Sequence, residues 1–379
     1  MPDNCRTLGC SLIVAAMIAG CAAPTTRQGS VTEHTVDLEA ERQQELAARD
    51  LVEKQKRLQR IERELATKAT KLCPGQVGPD TGVMAMTRPK GDFGPAFERV
   101  YGIHNRLTIL YVLEGSPAQA AGLAAGDVIV KVNDVDMPDA KSLEQLQGVL
   151  RSFAPMRFEI ERKGVPLVVS VVPEPACWYP ILITPDQGVN AFADGTRIRV
   201  TRGMVNFAAT DDELALVVSH EMAHNAMRHI EAKKKNAGLG FLADLAILIL
   251  SRGQVSSQAF QQIGAMAYSQ EFEAEADYVG LYIMANAGMP IDEAPLFWRR
   301  MAAEYPASIR SNHAASHPST SYRMVALENA VREIKGKIAA HQALLPNMKD
   351  GEVAIATSRK SSPRISTPKV AISLLAWTC

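Results

Sequence analysis

From Val31 to Leu72 the chain is charged, lacks Gly and Pro, and carries leucines at 51, 58, 65 and 72 with Ile61 between them. A seven-residue spacing gathers these side chains on one helical face, so the pattern predicts a long amphipathic helix with a weak heptad. Lys54 and Lys68 interrupt the alternate seam, which leaves two arrangements: a coiled-coil dimer, or a helix lying on the protein's own body. CPGQVGPDTG then ends the helix. Beyond it the period shortens to two. TILYV and DVIVKVND read as strands around a short Ala-rich helix, SLEQLQGVLRSF is helical, and RFEIERKG and PLVVSVVP alternate as strands. After PEPACWYP, the stretch ILITPDQGVNAFADGTRIRVTRGMV predicts two or three short strands with turns at DQG and ADG. Helical spacing then returns in TDDELALVVSHEMAHNAMRHI, where Thr210 and Glu213 form a capping box, and in YSQEFEAEADYVGLYIMANAG. GLGFLADLAILIL, residues 238–250, is apolar nearly all round but contains Asp244, and a membrane span needs about 20 residues. Its length favours a buried hairpin helix over one touching a membrane surface.

Composition adds boundaries. At 379 residues the chain has room for two or three cores, and Lys+Arg 41 against Asp+Glu 41 argues against a nucleic-acid partner. The opening MPDNCRTLGCSLIVAAMIAGC has one Arg and an apolar run from Leu8 to Ala19, the composition of a secretory signal. Ile18-Ala19-Gly20-Cys21 resembles a bacterial lipobox, which implies that Cys21 is lipidated, and Ala22 after it implies the outer membrane. The mature chain is then expected in the periplasm, an oxidising compartment, anchored to the membrane by lipid. Cys73, Cys177 and Cys379 remain there. The expected organisation is a signal over 1–20, anchor and helical tether over 21–75, a β-rich unit over 76–175, a catalytic unit over 176–345, and a disordered, basic, Ser- and Pro-rich tail over 346–379.

GSPAQAAGLAAGDVIVKVND closely resembles the signature of PDZ domains. That resemblance implies a compact β-sandwich binding an extended peptide as an added strand, with peptide C-termini as candidate partners. GDFGPAF, residues 91–97, is the candidate carboxylate loop. Cys73 and Cys177 bracket this unit, and the ends of a compact domain often lie together, so a disulfide between them is one expectation and two isolated buried thiols the other.

The chemistry lies in SHEMAH. His220 and His224, four apart, share a helix face, and Glu221 completes H-E-x-x-H, the pattern in which two imidazoles hold zinc and the glutamate activates water. A catalytic zinc needs a third protein ligand. Position 230 is Ile230, which excludes a third histidine there, and His229 is expected to be rotated away from the ligand face, as a structural residue or one that supports a ligand from behind. A second helix supplies the alternative: Glu273 and Asp277 share a face, so Glu273 can bind metal while Asp277 orients a ligand histidine through its outer nitrogen. Glu271 and Glu275 are expected to be solvated.

NAFADG, HEMAH followed by MRH, and EAEAD resemble the CAAX-prenyl-protease and HtpX-like zinc metallopeptidases over roughly residues 180–330. The resemblance implies an α+β chain: a mostly helical gluzincin domain with a small β-sheet, behind the PDZ domain and the long N-terminal helix. It implies Zn2+, one per chain, on His220, His224 and Glu273, with Glu221 as base. A later His-Pro and Arg are matched by His317, Pro318 and Arg323; Gln270 departs from the Arg many members carry. His317 or Arg323 is the candidate oxyanion donor. His317 has two other readings, as an imidazole filling the open zinc position or as a structural residue. NAFADG is expected as an edge strand that pairs with unfolded or extended protein substrates. The alternative function is a PDZ-based chaperone or adaptor with a latent metal site.

Overall fold

The computed structural model describes residue 26 and residues 29–137, 153–236, 269–306, 317 and 321–349. The expected signal, Cys21, the helix over SLEQLQGVLRSF, the apolar run 238–250, Pro318, Cys379 and the tail beyond residue 349 lie outside these. The fold is mixed α and β, with a long N-terminal helix, a β-rich middle and a mainly helical C-terminal part. The chain divides into two compact units, residues 1–43 and 44–379. In the first, helix α1 (Glu33–Lys68) begins behind Thr32, whose hydroxyl accepts the Thr35 N–H at 3.3 Å, and its opening turns are exposed.

In the second unit α1 is core. It buries Ala48, Leu51, Val52, Gln55, Leu58, Gln59, Ile61, Leu65 and Ala66, one continuous face, against the chain's own strands and helices. Each fully buried leucine or isoleucine contributes about 1.5–3 kcal/mol, so the leucine stripe is used on the protein's own body. Two buried glutamines dock it. The Gln55 amide donates to the Ile181 carbonyl at 3.0 Å and accepts the Ile183 N–H at 2.9 Å, closing a strand edge as a neighbouring strand would. Gln59 accepts the Tyr111 hydroxyl.

Strands β1 (Val77–Asp80) and β8 (Glu174–Cys177) pair antiparallel, Val77 opposite Cys177. Between them lies an antiparallel sheet of β2 (Val83–Met86), β3 (Thr108–Val112), β4 (Val128–Val132), β6 (Met156–Arg162) and β7 (Val165–Val171), in that order, with β5 (Val135–Asp136) added to β4. Asn133 and Asp134 turn from β4 to β5 with φ of 47° and 67°, the left-handed pair that hairpins require. Among the described residues two helices join the strands. In α3 (Pro117–Ala120), Ser116 caps the start by accepting the Gln119 N–H at 3.2 Å. The other, α2 (Phe93–Tyr101), corrects an expectation. GDFGPAF is not an open carboxylate loop; from Phe93 it winds into a helix that buries Gly94, Ala96 and Phe97. Inward residues Ala85, Ile109, Ile129, Phe158 and Ile160 form this unit's own core.

Cys73 and Cys177 are joined as a disulfide with Cα atoms 5.8 Å apart, both buried. Pairing of β1 with β8 is what brings them together. Next come β9 (Ile181–Thr184), β10 (Ala191–Ala193) and β11 (Ile198–Thr201), in the order β10-β11-β9 with β11 parallel to β9, so β10 of NAFADG is an edge. The helices follow: α4 (Arg202–Phe207), α5 (Asp211–Ala226), α6 (Ser269–Asn286), α7 (Ala294–Glu304) and α8 (Ser321–Ala339). Among the described residues no helix is long and apolar enough to cross a membrane.

Candidate metal centre

Helix α5 starts where the capping pattern places it. Thr210 accepts the Glu213 N–H at 3.2 Å, and the Glu213 carboxylate accepts the Ala209 N–H at 2.7 Å. From Leu214 to Asn225 every residue is buried, so His220, Glu221 and His224 sit in the protein's interior. A helix buried all round needs a partner that approaches closely, and α6 does so at Gly280. A methyl carbon there would stand 3.1 Å from the His220 backbone nitrogen. That contact sets Glu273 and Asp277 beside the two histidines.

The side chains converge. Glu273 Oε2 lies 3.3 Å from His220 Nε2, Glu273 Oε1 lies 3.4 Å from His224 Nε2, and the two Nε2 atoms are 3.1 Å apart. His317 joins them, its Nδ1 2.7 Å from Glu273 Oε2 and 3.3 Å from His220 Nε2. One donor atom from each of these four residues lies within 4.8 Å of all the others. His317 Nε2 is 3.4 Å from Glu221 Oε1, while Glu221 Oε2 is buried with no hydrogen-bond partner among the described residues. Imidazole nitrogens and carboxylate oxygens are the donors a divalent transition ion takes. The orphaned Glu221 oxygen, on a carboxylate whose other oxygen faces His317, is a group awaiting a partner. The residues therefore fit a metal ion.

Electrostatics follow from burial and neighbours. Burial pushes the Asp277 carboxyl up, but the Arg323 charge and bonds from His220 and Arg323 hold it below the ordinary carboxylate value. Burial likewise pushes Glu273 up, and His317, His220 and His224 hold it well below. For His220, burial pushes down, yet Asp277 and Glu273 raise it to about 9. His224 is driven well below its usual value by burial, Glu273 opposing and the neighbouring His220 and His317 adding to the fall.

Asp277 Oδ1 is 2.9 Å from His220 Nδ1, the outer-nitrogen contact that fixes a ligand imidazole. Arg323 lies behind this aspartate. Its guanidinium is fully buried and forks onto Asp277, Nε to Oδ2 and Nη2 to Oδ1 each at 2.8 Å, with its Cζ 5.0 Å from the Trp298 ring. It braces the aspartate, and its Nη1 lies 3.7 Å from Glu273 Oε2 at the edge of the cluster. Glu275 is not merely solvated, because its Oε2 lies 2.9 Å from His229 Nε2. His229, expected to rotate away, is buried with its Nδ1 2.9 Å from His224 Nδ1. Counting 100° per residue fails because α5 stops at Ala226 and Arg228 takes a left-handed φ of 56°, which swings the chain back. Nothing in a linear pattern marks Arg228 for that conformation. Lys233 Nζ, 3.4 Å from Glu273 Oε1, and Gly280 were equally invisible.

Comparison with known proteins gives this geometry a setting. Residues 159–331 match Peptidase family M48, and residues 108–161 match the PDZ domain. The chain is 34% identical over 158 residues to the mitochondrial metalloendopeptidase OMA1 of Schizosaccharomyces pombe, covering 40% of this chain and 46% of that protein. It is 27% identical over 154 residues to the Arabidopsis thaliana OMA1, covering 40% and 31%. With the beta-barrel assembly-enhancing protease of Yersinia pestis it shares 25% over 168 residues, covering 41% and 34%. The matched region thus spans less than half the length of each of these relatives. The crystal structure of the HtrA3 PDZ domain bound to a phage-derived ligand aligns at 25% identity and a TM-score of 0.21, covering 26% of this chain and 88% of that one. Over residues 159–331, which hold the buried cluster, the chain is thus similar to Peptidase family M48, with a match to the PDZ domain ahead of it.

Proposed function

We propose that this chain is a metal-dependent endopeptidase whose ion is zinc, held by His220, His224 and Glu273 in the manner of the CAAX-prenyl-protease and HtpX-like enzymes it resembles. The carrying observation is the convergence of those three side chains beside Glu221, whose Oε2 is buried and unpartnered. Bound there, zinc would supply Lewis acidity, polarising a peptide carbonyl and acidifying water towards a pKa of about 7. The chain supplies the rest. Glu221 accepts a proton as water adds to the carbonyl carbon and delivers it to the amine nitrogen as the C–N bond breaks. Asp277, braced by Arg323, keeps the His220 ring turned to the site. Edge strand β10 lies next to α5 and among the described residues pairs with no strand but β11, so an extended substrate can add beside it, which favours unfolded protein segments.

His317 adds a fourth donor to the cluster, with Nδ1 against Glu273 and Nε2 towards Glu221, and would be able to occupy the position a catalytic zinc keeps for water. We read this as a latent state in which the imidazole closes the site until it withdraws. The working division is a PDZ domain over 76–175, with peptide C-termini as its ligands, and a peptidase over 176–345. The signal-like opening and Cys21 support a lipid-anchored envelope protein in the periplasm, at the outer membrane.

Purified full-length protein incubated with unfolded casein tests the activity. Cleavage should be lost with a chelator, return with zinc, and be absent in Glu221→Gln. Cleavage that persists in the chelated protein, or undiminished in Glu221→Gln, would refute the mechanism.

A further inference from the structure

His220 has an evident orienting partner in Asp277, and His224 has none of that kind. Its outer nitrogen points instead at another histidine. His224 Nδ1 and His229 Nδ1 are 2.9 Å apart, and His229 Nε2 is 2.9 Å from Glu275 Oε2. We propose that His229, anchored by Glu275, is the positioning residue for His224, forming a Glu275–His229–His224 chain that fixes the second ligand imidazole as Asp277 fixes the first. The proposal rests on the metal-site reading above.

The direction of the bonds follows from the ends of the chain. His224 Nε2 faces Glu273 and His220, so Nε2 is the nitrogen whose lone pair must be free for an ion. A neutral imidazole with a free Nε2 carries its proton on Nδ1. The two Nδ1 atoms share one proton between them, so His224 donates and His229 accepts. His229 then carries its own proton on Nε2 and donates it to the Glu275 carboxylate oxygen. Every donor has one acceptor, and only one tautomer of each ring satisfies the set. The arrangement is also held in place. His229 is 1% exposed, and the Phe272 ring stacks on it with centroids 4.8 Å apart. Phe272 and Glu275 lie on the same helix α6 that carries Glu273, so one helix provides a ligand and the supports of both histidines.

A purely structural His229 would fill space beside Phe272 without setting the direction of His224. Three full-length variants separate the two roles, with zinc affinity measured by chelator competition and folding checked by thermal melting. His229→Leu keeps bulk but removes the acceptor, and should weaken zinc binding about 10–100-fold, the usual effect of losing an orienting partner. His229→Asn returns an acceptor oxygen near the Nδ1 position and should stay within about 5-fold of wild type. Glu275→Gln should fall between them. A folded His229→Leu protein that binds zinc within about 2-fold of wild type would overturn the proposal, as would His229→Asn being as weak as His229→Leu. Wild type and Glu273→Ala are run alongside: wild-type protein that holds no zinc would refute the metal-site reading itself, a different failure. Should the leucine variant not fold, nitrogen-15 NMR of the zinc-loaded wild-type rings decides. Protons on His224 Nδ1 and His229 Nε2 uphold the chain, and the opposite tautomer of either ring ends it.

Discussion

Gly280 offers a prediction whose sign distinguishes packing from propensity. Replacing a helical glycine by alanine ordinarily stabilises a helix by about 0.8–1 kcal/mol. At Gly280 the added carbon would stand 3.1 Å from His220 N, 3.2 Å from Ser219 C and 3.3 Å from His220 Cα. Comfortable carbon contacts begin near 3.5 Å, so α5 and α6 would have to separate by roughly 0.3 Å. Those neighbours are backbone atoms of a buried helix and cannot rotate aside. Overpacking of this kind costs about 1–3 kcal/mol, so Gly280→Ala should lose between about 0 and 2 kcal/mol overall after the propensity gain. Gly336 in α8 is the matched control, since nothing lies within 4 Å of a carbon placed there. Gly336→Ala should gain up to about 1 kcal/mol. Subtracting one variant from the other removes the propensity and leaves the packing cost. Thermal and urea unfolding of the metal-free protein measure it, at about 2–4 °C of Tm per kcal/mol. Zinc affinity should also fall in Gly280→Ala, because the displaced helix carries Glu273 and Asp277. If Gly280→Ala stabilises as much as Gly336→Ala, the close approach does not hold the site.

Glu273→Ala should sharply lower zinc content by elemental analysis, whereas Glu221→Gln should retain zinc and lose cleavage; full zinc in the first would sink the ligand assignment. His317→Ala should raise the rate of casein cleavage if the imidazole closes the site, and a fall of about 10²-fold would make it an oxyanion donor instead. Arg323→Met leaves Asp277 buried beside His220 without its countercharge, so it should destabilise by about 3–5 kcal/mol in denaturation experiments; unchanged stability with lost activity would point to a direct catalytic role. Cys73→Ser with Cys177→Ser opens a link of sequence separation 104 and should cost roughly 2–5 kcal/mol, and recovery of both cysteines as free thiols in non-reducing peptide maps would remove the basis for it.

The legible parts of this chain were those written in local spacing. The 210–213 cap, the four-residue step from His220 to His224 and the step from Glu273 to Asp277 each follow from helix geometry alone, and the fold places these residues together. What escaped depended on single backbone angles or on contacts between distant elements. Arg228's left-handed turn redirects His229; Gly280 matters only because α5 is its neighbour; the fork of Arg323 onto Asp277 joins two helices whose spacing in the chain says nothing of the contact. The leucine stripe of α1 was visible, but its partner was not, since a heptad does not say whether it faces another chain or its own.

The docked face of α1 also bears on synthesis. The helix is complete once Lys68 has been made, yet the Ile181 and Ile183 backbone groups that satisfy Gln55 lie more than a hundred residues further on. At about 5–20 residues per second the ribosome needs roughly 6–23 s to reach them. During that interval Leu51, Leu58, Ile61 and Leu65 have no strand of the later sheet to cover them, and an isolated helix in water is only marginally stable. Met84, Met86, Leu110 and Tyr111, which share its core, arrive sooner, so the β-rich unit is the first surface on which the nascent helix can rest. Its order in the gene makes that unit a temporary cradle for a helix that the peptidase later shares.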